Sequence, residues 1–271
     1  MAIDPTRFCV NRKIAPNLSI EAFFQLVQRC GLHKVELRND MPSGSVTDDL
    51  SHQDVKTLAD EYGMEIVTIN ALYPFNQISD DLLARARTLL AVARDIGAKA
   101  LVMCPLNDGT PIAANDTLKA IQTLQPLFAE YGVQGLVEPL GFPVSSLRSA
   151  VLSQQLINDA QAPFHIVLDT FHHHLYENAE HEFAADIDIS KIGLVHLSGV
   201  TDPRETRALT DEERIMLTPD DRLNSAAQVQ RLEKLGYRGI YAFEPFSSVL
   251  NSWDEARIEK EIRDSIALLQ E

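Results

Sequence analysis

The sequence predicts an α/β fold, a (β/α)8 TIM barrel built from the whole of residues 1–271 as a single domain, and three observations carry that prediction. Apolar, β-branched runs alternate with helix-period segments from one end of the chain to the other, at a spacing of about thirty residues, the rhythm of an eight-stranded parallel barrel. An open doubly wound sheet shares this alternation, but no glycine-rich phosphate loop follows the first run, where the sequence reads CVNRKIAPNLS. No Pro/Gly/Ser-rich linker or break in composition divides the chain.

Strands are expected at 8–11, 34–38, 65–71, 100–105, 135–140, 164–170, 192–199 and 239–245. The helices between them have recognisable starts: Ser19 before IEAFFQLVQRC, Ser51 before HQDVKTLADEY and Ser79-Asp80 before DLLARARTLLAVARDI, residues whose side chains accept from the free N–H groups of a first turn. Several end at a glycine (Gly31, Gly63, Gly97, Gly132, Gly236), where a left-handed cap turns the chain toward the next strand. The one long irregular connection, 201–224, follows a late strand, and its length predicts a loop lying over the barrel mouth.

Composition limits the partners. With 24 Lys and Arg against 39 Asp and Glu the net charge is -15, which opposes binding to nucleic acid or to an anionic membrane surface. Cys9, Cys30 and Cys104 are odd in number, widely spaced and in apolar contexts, as reduced thiols of a cytoplasmic protein are, and imply no disulfide framework. The N-terminus lacks a basic head followed by an apolar stretch, and no later run has the length of a membrane helix, so secretion and membrane insertion are not expected.

The stretch FHIVLDTFHHHLYE is unusual for a core. If it begins as a strand, His165, Val167 and Asp169 share one face, and the carboxylate arrives at the C-terminal end beside a run of imidazoles. Three other late strands also finish in a metal-competent residue: Glu138 in LVEPL, His196 in VHLSG and Glu244 in AFEPF. In a barrel the strand ends surround one axis, so four residues distant in sequence can form one coordination shell. Three carboxylates and one imidazole suit one divalent metal ion, manganese, magnesium, cobalt or zinc, and argue against a closed structural zinc site, which prefers thiolates. For any one of them the alternative is a carboxylate paired with a neighbouring Lys or Arg, and for Asp169 a cap on the next turn. The early strands end instead near Asn11, Arg38 and Asn70, followed by Phe75-Asn76 and Asn107-Asp108, groups that hydrogen-bond hydroxyls and carbonyls and so suit a polyol. Turn formation is the alternative for each Asn, and core packing for Phe75, Phe142, Phe171 and Phe246 as walls of a pocket.

These residues resemble the xylose-isomerase-like barrels, and within them the inosose (2-keto-myo-inositol) isomerases, over nearly the whole chain: FCVNR, VELRND, TINALYPFN, VEPLGFP, VLDTFHHH, VHLSG with LTDEER in the following loop, and LGYRGIYAFEPF. The resemblance implies Glu138, Asp169, His196 and Glu244 as metal ligands and His172 in contact with substrate; coming from well-separated strands, Glu138 and Glu244 are the expected catalytic base and acid, and His172 is expected to hold a hydroxyl or shuttle a proton between two substrate oxygens. Asn11, Arg38, Asn70, Asn76 and His174 complete the substrate-binding candidates, although the sequence does not say which imidazole of the run faces inward. The reaction implied moves a ketone to the adjacent carbon of a cyclic polyol ketone through an enediolate. Ketohexose 3-epimerase and inosose dehydratase chemistry are alternatives on the same site, and a non-catalytic metal- or sugar-binding barrel is an alternative of another class. DNA-repair endonucleases of the superfamily need further histidines, whereas strands two to four here end in Arg38, Asn70 and Cys104. Barrels of this type often associate, so a homo-oligomer is compatible with the reading. One departure stands out: where relatives often carry a glycine-containing turn, this chain has Thr218, Pro219, Asp220, Asp221 and Arg222, placing a charged turn at the expected pocket edge.

Overall fold

Eight parallel strands pair in sequence order and close on themselves in the computed structural model, which describes residues 2–271. They are β1 (Phe8–Asn11), β2 (Lys34–Arg38), β3 (Glu65–Leu72), β4 (Ala100–Met103), β5 (Gln134–Val137), β6 (His165–Asp169), β7 (Ile192–Leu197) and β8 (Tyr241–Phe243). Closure sets Phe8, Cys9 and Val10 opposite Tyr241, Ala242 and Phe243. Helices α1 (Ile20–Arg29), α2 (His52–Tyr62), α3 (Asp80–Ile96), α4 (Ala114–Tyr131) and α5 (Ala150–Asp159) follow the first five strands. The sixth crossover is split between α6 (Thr170–Leu175) and α7 (Ala179–Asp186); α8 (Ser225–Lys234) and α9 (Glu255–Leu269) follow β7 and β8. No described helix is long and apolar enough to cross a membrane.

The expected helix punctuation is present. Ser19, Ser51 and Ser79 accept from the backbone N–H groups of Ala22, Asp54 and Leu82, and Gly63, Gly97 and Gly132 cap α2, α3 and α4 in the left-handed region. The two ends of the chain are stitched together at the bottom of the barrel. The Gln270 amide exchanges two 2.7 Å hydrogen bonds with the backbone of Ile3, and Arg7 forms a two-pronged ion pair with Glu233, which also accepts from the Tyr241 hydroxyl.

The period of two along a strand decides what fills the barrel. Cys9, Val102, Leu136, Val167, Leu194 and Ala242 pack together inside it as an apolar plug. Two residues further along the same strands or just past their ends lie Asn11, Cys104, Glu138, Asp169, His196 and Glu244. One layer seals the floor and the next, at the C-terminal mouth, carries the polar groups. The connection between β7 and α8 is anchored, not loose: Gly199 and Ile215 exchange backbone hydrogen bonds of 2.7 and 2.8 Å, and Met216 and Leu217 are buried. The three thiols are free, Cys9 buried and Cys30 and Cys104 half-buried.

Candidate metal centre and cleft

Glu138, Asp169, His196 and Glu244 meet at the mouth, all buried, each offering a ligand atom within 4.8 Å of the others. His196 Nδ1 lies 2.9 Å from Glu244 Oε2, 3.2 Å from Glu138 Oε1 and 4.0 Å from Asp169 Oδ2. Asp169 divides its oxygens between two tasks. Oδ1 accepts from the N–H groups of Phe171 and His172 and so caps α6, while Oδ2 faces the cluster and accepts from Arg214 at 2.7 Å. Two buried guanidinium groups border the set: Arg38 donates to Glu244 Oε1 at 2.6 Å and grips Asp40 with its other face, and Arg214 donates to Asp169 and, at 3.3 Å, to Glu244.

Buried charge needs compensation. Four buried carboxylates, Glu36, Glu138, Asp169 and Glu244, crowd around the two buried guanidiniums of Arg38 and Arg214 and around His196, whose proton affinity burial would lower but Glu244, Glu36 and Glu138 raise well above its usual value. Three carboxylates and an imidazole converging in one carboxylate-rich pocket fit a divalent cation. Burial, with Glu244 adding to it against His196, pushes Glu138 up to about 7. Burial would also raise Glu244, but His196, Arg38 and Arg214 outweigh it and hold that carboxylate well below its usual range. Burial and the positive charge of Arg214 bring His172 down to about 3, so its ring is neutral. Its Nδ1 accepts from the Gly141 N–H at 2.9 Å, which assigns the ring hydrogen to Nε2. A side chain at 141 is excluded there, because a Cβ would stand 2.1 Å from the His172 carbonyl oxygen.

Above the cluster opens a cleft of about 410 Å³, lined among others by Arg38, Asn70, Glu138, Phe142, His172 and Arg214. A family profile described as Xylose isomerase-like TIM barrel matches residues 24–271. The chain belongs to that family. A crystal structure of a xylose isomerase domain containing protein from Salmonella typhimurium LT2 is 64% identical over 100% of both chains, with a TM-score of 0.99. At 18% identity, the IOLI protein, solved with a binding zinc atom, superimposes with a TM-score of 0.84 over 97% of this chain and 98% of its own. L-ribulose 3-epimerase, at 17% identity, does so with a TM-score of 0.70 over 99% and 95%. No curated protein matches the sequence.

In this xylose isomerase-like barrel the expected substrate-binding residues divide into two groups. Arg38, Asn70 and His172 line the cleft. Asn11, Asn76 and His174 are placed otherwise, against expectation. Asn11 is buried beneath it, donating to Glu36 at 3.1 Å and accepting from Lys13 N–H at 2.9 Å. Asn76 is fastened between Thr117, Ser146 and the Leu106 N–H, an internal brace for the loops after β3, β4 and β5. His174 lies in a separate groove with Glu177, Asn224 and Arg231, because successive residues of α6 point about 100° apart and only His172 falls on the cleft side. Of the expected aromatic walls, Phe142 and Phe246 line the cleft, whereas Phe75 and Phe171 are fully buried. The turn at 218–222 is likewise not at the cleft edge. Arg222 donates to the carbonyls of Asp202 and Arg204, and Asp221 accepts from Val200, Leu223 and Ser225, so the charges hold the loop together.

Two residues of the centre are absent from the sequence-derived set. Glu36 shares the strand parity of Arg38, and a glutamate between Val35 and Leu37 was the available signal. Arg214 had none beyond the long loop, which delivers it into the cleft with its backbone carbonyl accepting from Phe246 and Ser247.

Proposed function

We propose that this barrel is a divalent-cation-dependent isomerase that moves a ketone to the adjacent carbon of a cyclic polyol ketone, of the 2-keto-myo-inositol to 1-keto-D-chiro-inositol type. The observation that carries the reading is the buried cluster of Glu138, Asp169, His196 and Glu244 opening into a cleft whose volume lies within the roughly 300–1,000 Å³ common for small-molecule sites. A cation held by those four residues supplies electrophilic stabilisation for negative charge on two neighbouring oxygens.

The side chains have separable tasks. The reaction takes a proton from the carbon next to the carbonyl and returns one to the former carbonyl carbon, so it needs a group on each side of the ring. Glu138 and Glu244 come from strands separated by two others. Their surroundings drive their proton affinities apart, Glu138 up and Glu244 down, the pattern of an acid and base pair. Neutral His172, with hydrogen on Nε2, donates to a substrate oxygen, while Arg38 and Arg214 keep charged donors over the cleft. Phe142 offers an apolar surface to the C–H side of a ring, while Phe246 is stacked against the guanidiniums of Arg38 and Arg214.

Incubating the cation-loaded protein with inososes and ketohexoses in heavy water, followed by NMR, tests this directly. Deuterium entering an inosose together with a second inosose regioisomer is the expected result. Inversion at carbon 3 of a ketohexose would reassign the protein as an epimerase, and loss of hydroxide as a dehydratase. No exchange into any of them would leave a non-catalytic binding barrel.

A further inference from the structure

We propose that Glu36 is the positioning residue of the metal centre: it sets the tautomer of His196, so that Nδ1 is the nitrogen offered to a divalent cation. The inference rests on the metal-centre reading above and adds to it a residue that touches neither cleft nor cation.

Glu36 is fully buried in the middle of β2, and both its oxygens lie 3.0 Å from His196 Nε2. Its remaining contacts decide the direction of that bond. Asn11 Oδ1 accepts from the Lys13 backbone N–H, which can only donate, so the Asn11 side chain cannot be turned round and its amide nitrogen must donate to Glu36 Oε1. On Oε2 the Asn70 amide donates at 3.0 Å and the Thr68 hydroxyl at 2.5 Å. Donors thus converge on both oxygens and the carboxylate serves them as an acceptor. His196 Nε2 must then carry the hydrogen it gives to Glu36. With a cation in the site the ring would be neutral, its one hydrogen staying on Nε2 toward Glu36 and the lone pair of Nδ1 going to the ion. That nitrogen is the one facing Glu138, Asp169 and Glu244 at 2.9–4.0 Å. A carboxylate behind a ligating histidine commonly fixes ring orientation in this way, and its loss lowers metal affinity about 10–100-fold. Asn11, expected from the sequence at the substrate, acts here one step behind the ligands, and Asn70 belongs to both the cleft and this network.

Two measurements test the proposal on the full chain. Long-range 1H–15N spectra of the Zn2+-loaded protein, with the His196 signals assigned by their loss in His196→Gln, are expected to show hydrogen on Nε2. Titration of cation-free protein with Zn2+ and with Mn2+ is expected to give affinities about 10–100-fold weaker in Glu36→Gln, with His196 of the cation-free variant, at a pH where its ring is neutral, moved toward the Nδ1–H form. A merely structural role for Glu36 would not move the tautomer. Zn2+ bound to wild type with hydrogen on Nδ1, or a folded Glu36→Gln variant binding both ions as tightly as wild type, would overturn the role of Glu36 and leave the metal centre standing. Wild type binding neither ion would instead remove the metal centre, and this inference with it. Should Glu36→Gln fail to fold, the wild-type tautomer decides alone.

Discussion

The two halves of the barrel rim are chemically unlike. Strands β5 to β8 deliver Glu138, Asp169, His196 and Glu244, every residue of the candidate cation site, whereas β1 to β4 deliver Asn11, Glu36, Arg38, Asn70 and Cys104. The first half does not mirror the second at lower charge. Asn11, Thr68 and Asn70 satisfy Glu36, which holds His196, while Arg38 crosses the mouth to Glu244. One half supplies the candidate ligands and the other supplies hydrogen bonds to them. The comparison teaches that a polar residue at a strand end is not thereby at the substrate, since in this rim it is as often braced against another side chain.

If that division holds, its largest consequence is on the ligand side. Chelating the divalent cation is expected to abolish turnover of the cyclic polyol ketone and readdition to restore it; full activity in protein shown by elemental analysis to be cation-free would break the comparison. Glu138→Gln and Glu244→Gln are each expected to lower turnover by about 10²–10⁴-fold with the circular dichroism spectrum unchanged. Near-native rates in either variant with cation bound would remove the two-carboxylate scheme.

The next effect concerns the guanidinium that the long loop after β7 lays over the ligand half. Arg214→Met leaves Asp169 without its buried guanidinium partner, while Glu244 keeps Arg38, and is expected to cost about 3–5 kcal/mol of stability in cation-free protein, read from urea unfolding. A loss of about 1 kcal/mol or less, the worth of an exposed pair, would mean that Arg214 is not integral to the centre. The smallest effect sharpens the comparison from the outside. His174 lies beyond the cleft, and His174→Ala is expected to change turnover by no more than about two-fold, the scale of substitutions away from a site, while His172→Ala is expected to be severely impaired. Equal losses at the two positions would put the cleft on the wrong face of α6.

Much of this was legible in the chain. The alternation of runs and the serine and glycine caps mark the elements, because helix and strand boundaries are local events decided by a few neighbouring residues. The convergence of Glu138, Asp169, His196 and Glu244 was legible for a related reason, since strand parity and barrel closure together put C-terminal strand residues around one axis. Even the alternative for Asp169, a cap on the next turn, is present, because a carboxylate has two oxygens and uses one for each purpose. Glu36 could have been found by the same parity that exposed Arg38. For Arg214 no local rule exists, since a loop without periodicity carries no statement of which side chain turns inward.

By itself the sequence determined the barrel and the identity of the four residues at its mouth, both consequences of spacing that hold wherever the strands close. Only the tertiary structure decided the network behind them: that Asn11 and Asn70 serve Glu36, that Asn76 braces loops, that His172 and not His174 faces the cleft, and that Arg214 enters from a loop. Those outcomes depend on which donors lie within about 3 Å of which acceptors, a relation between residues far apart in the chain that no local pattern encodes.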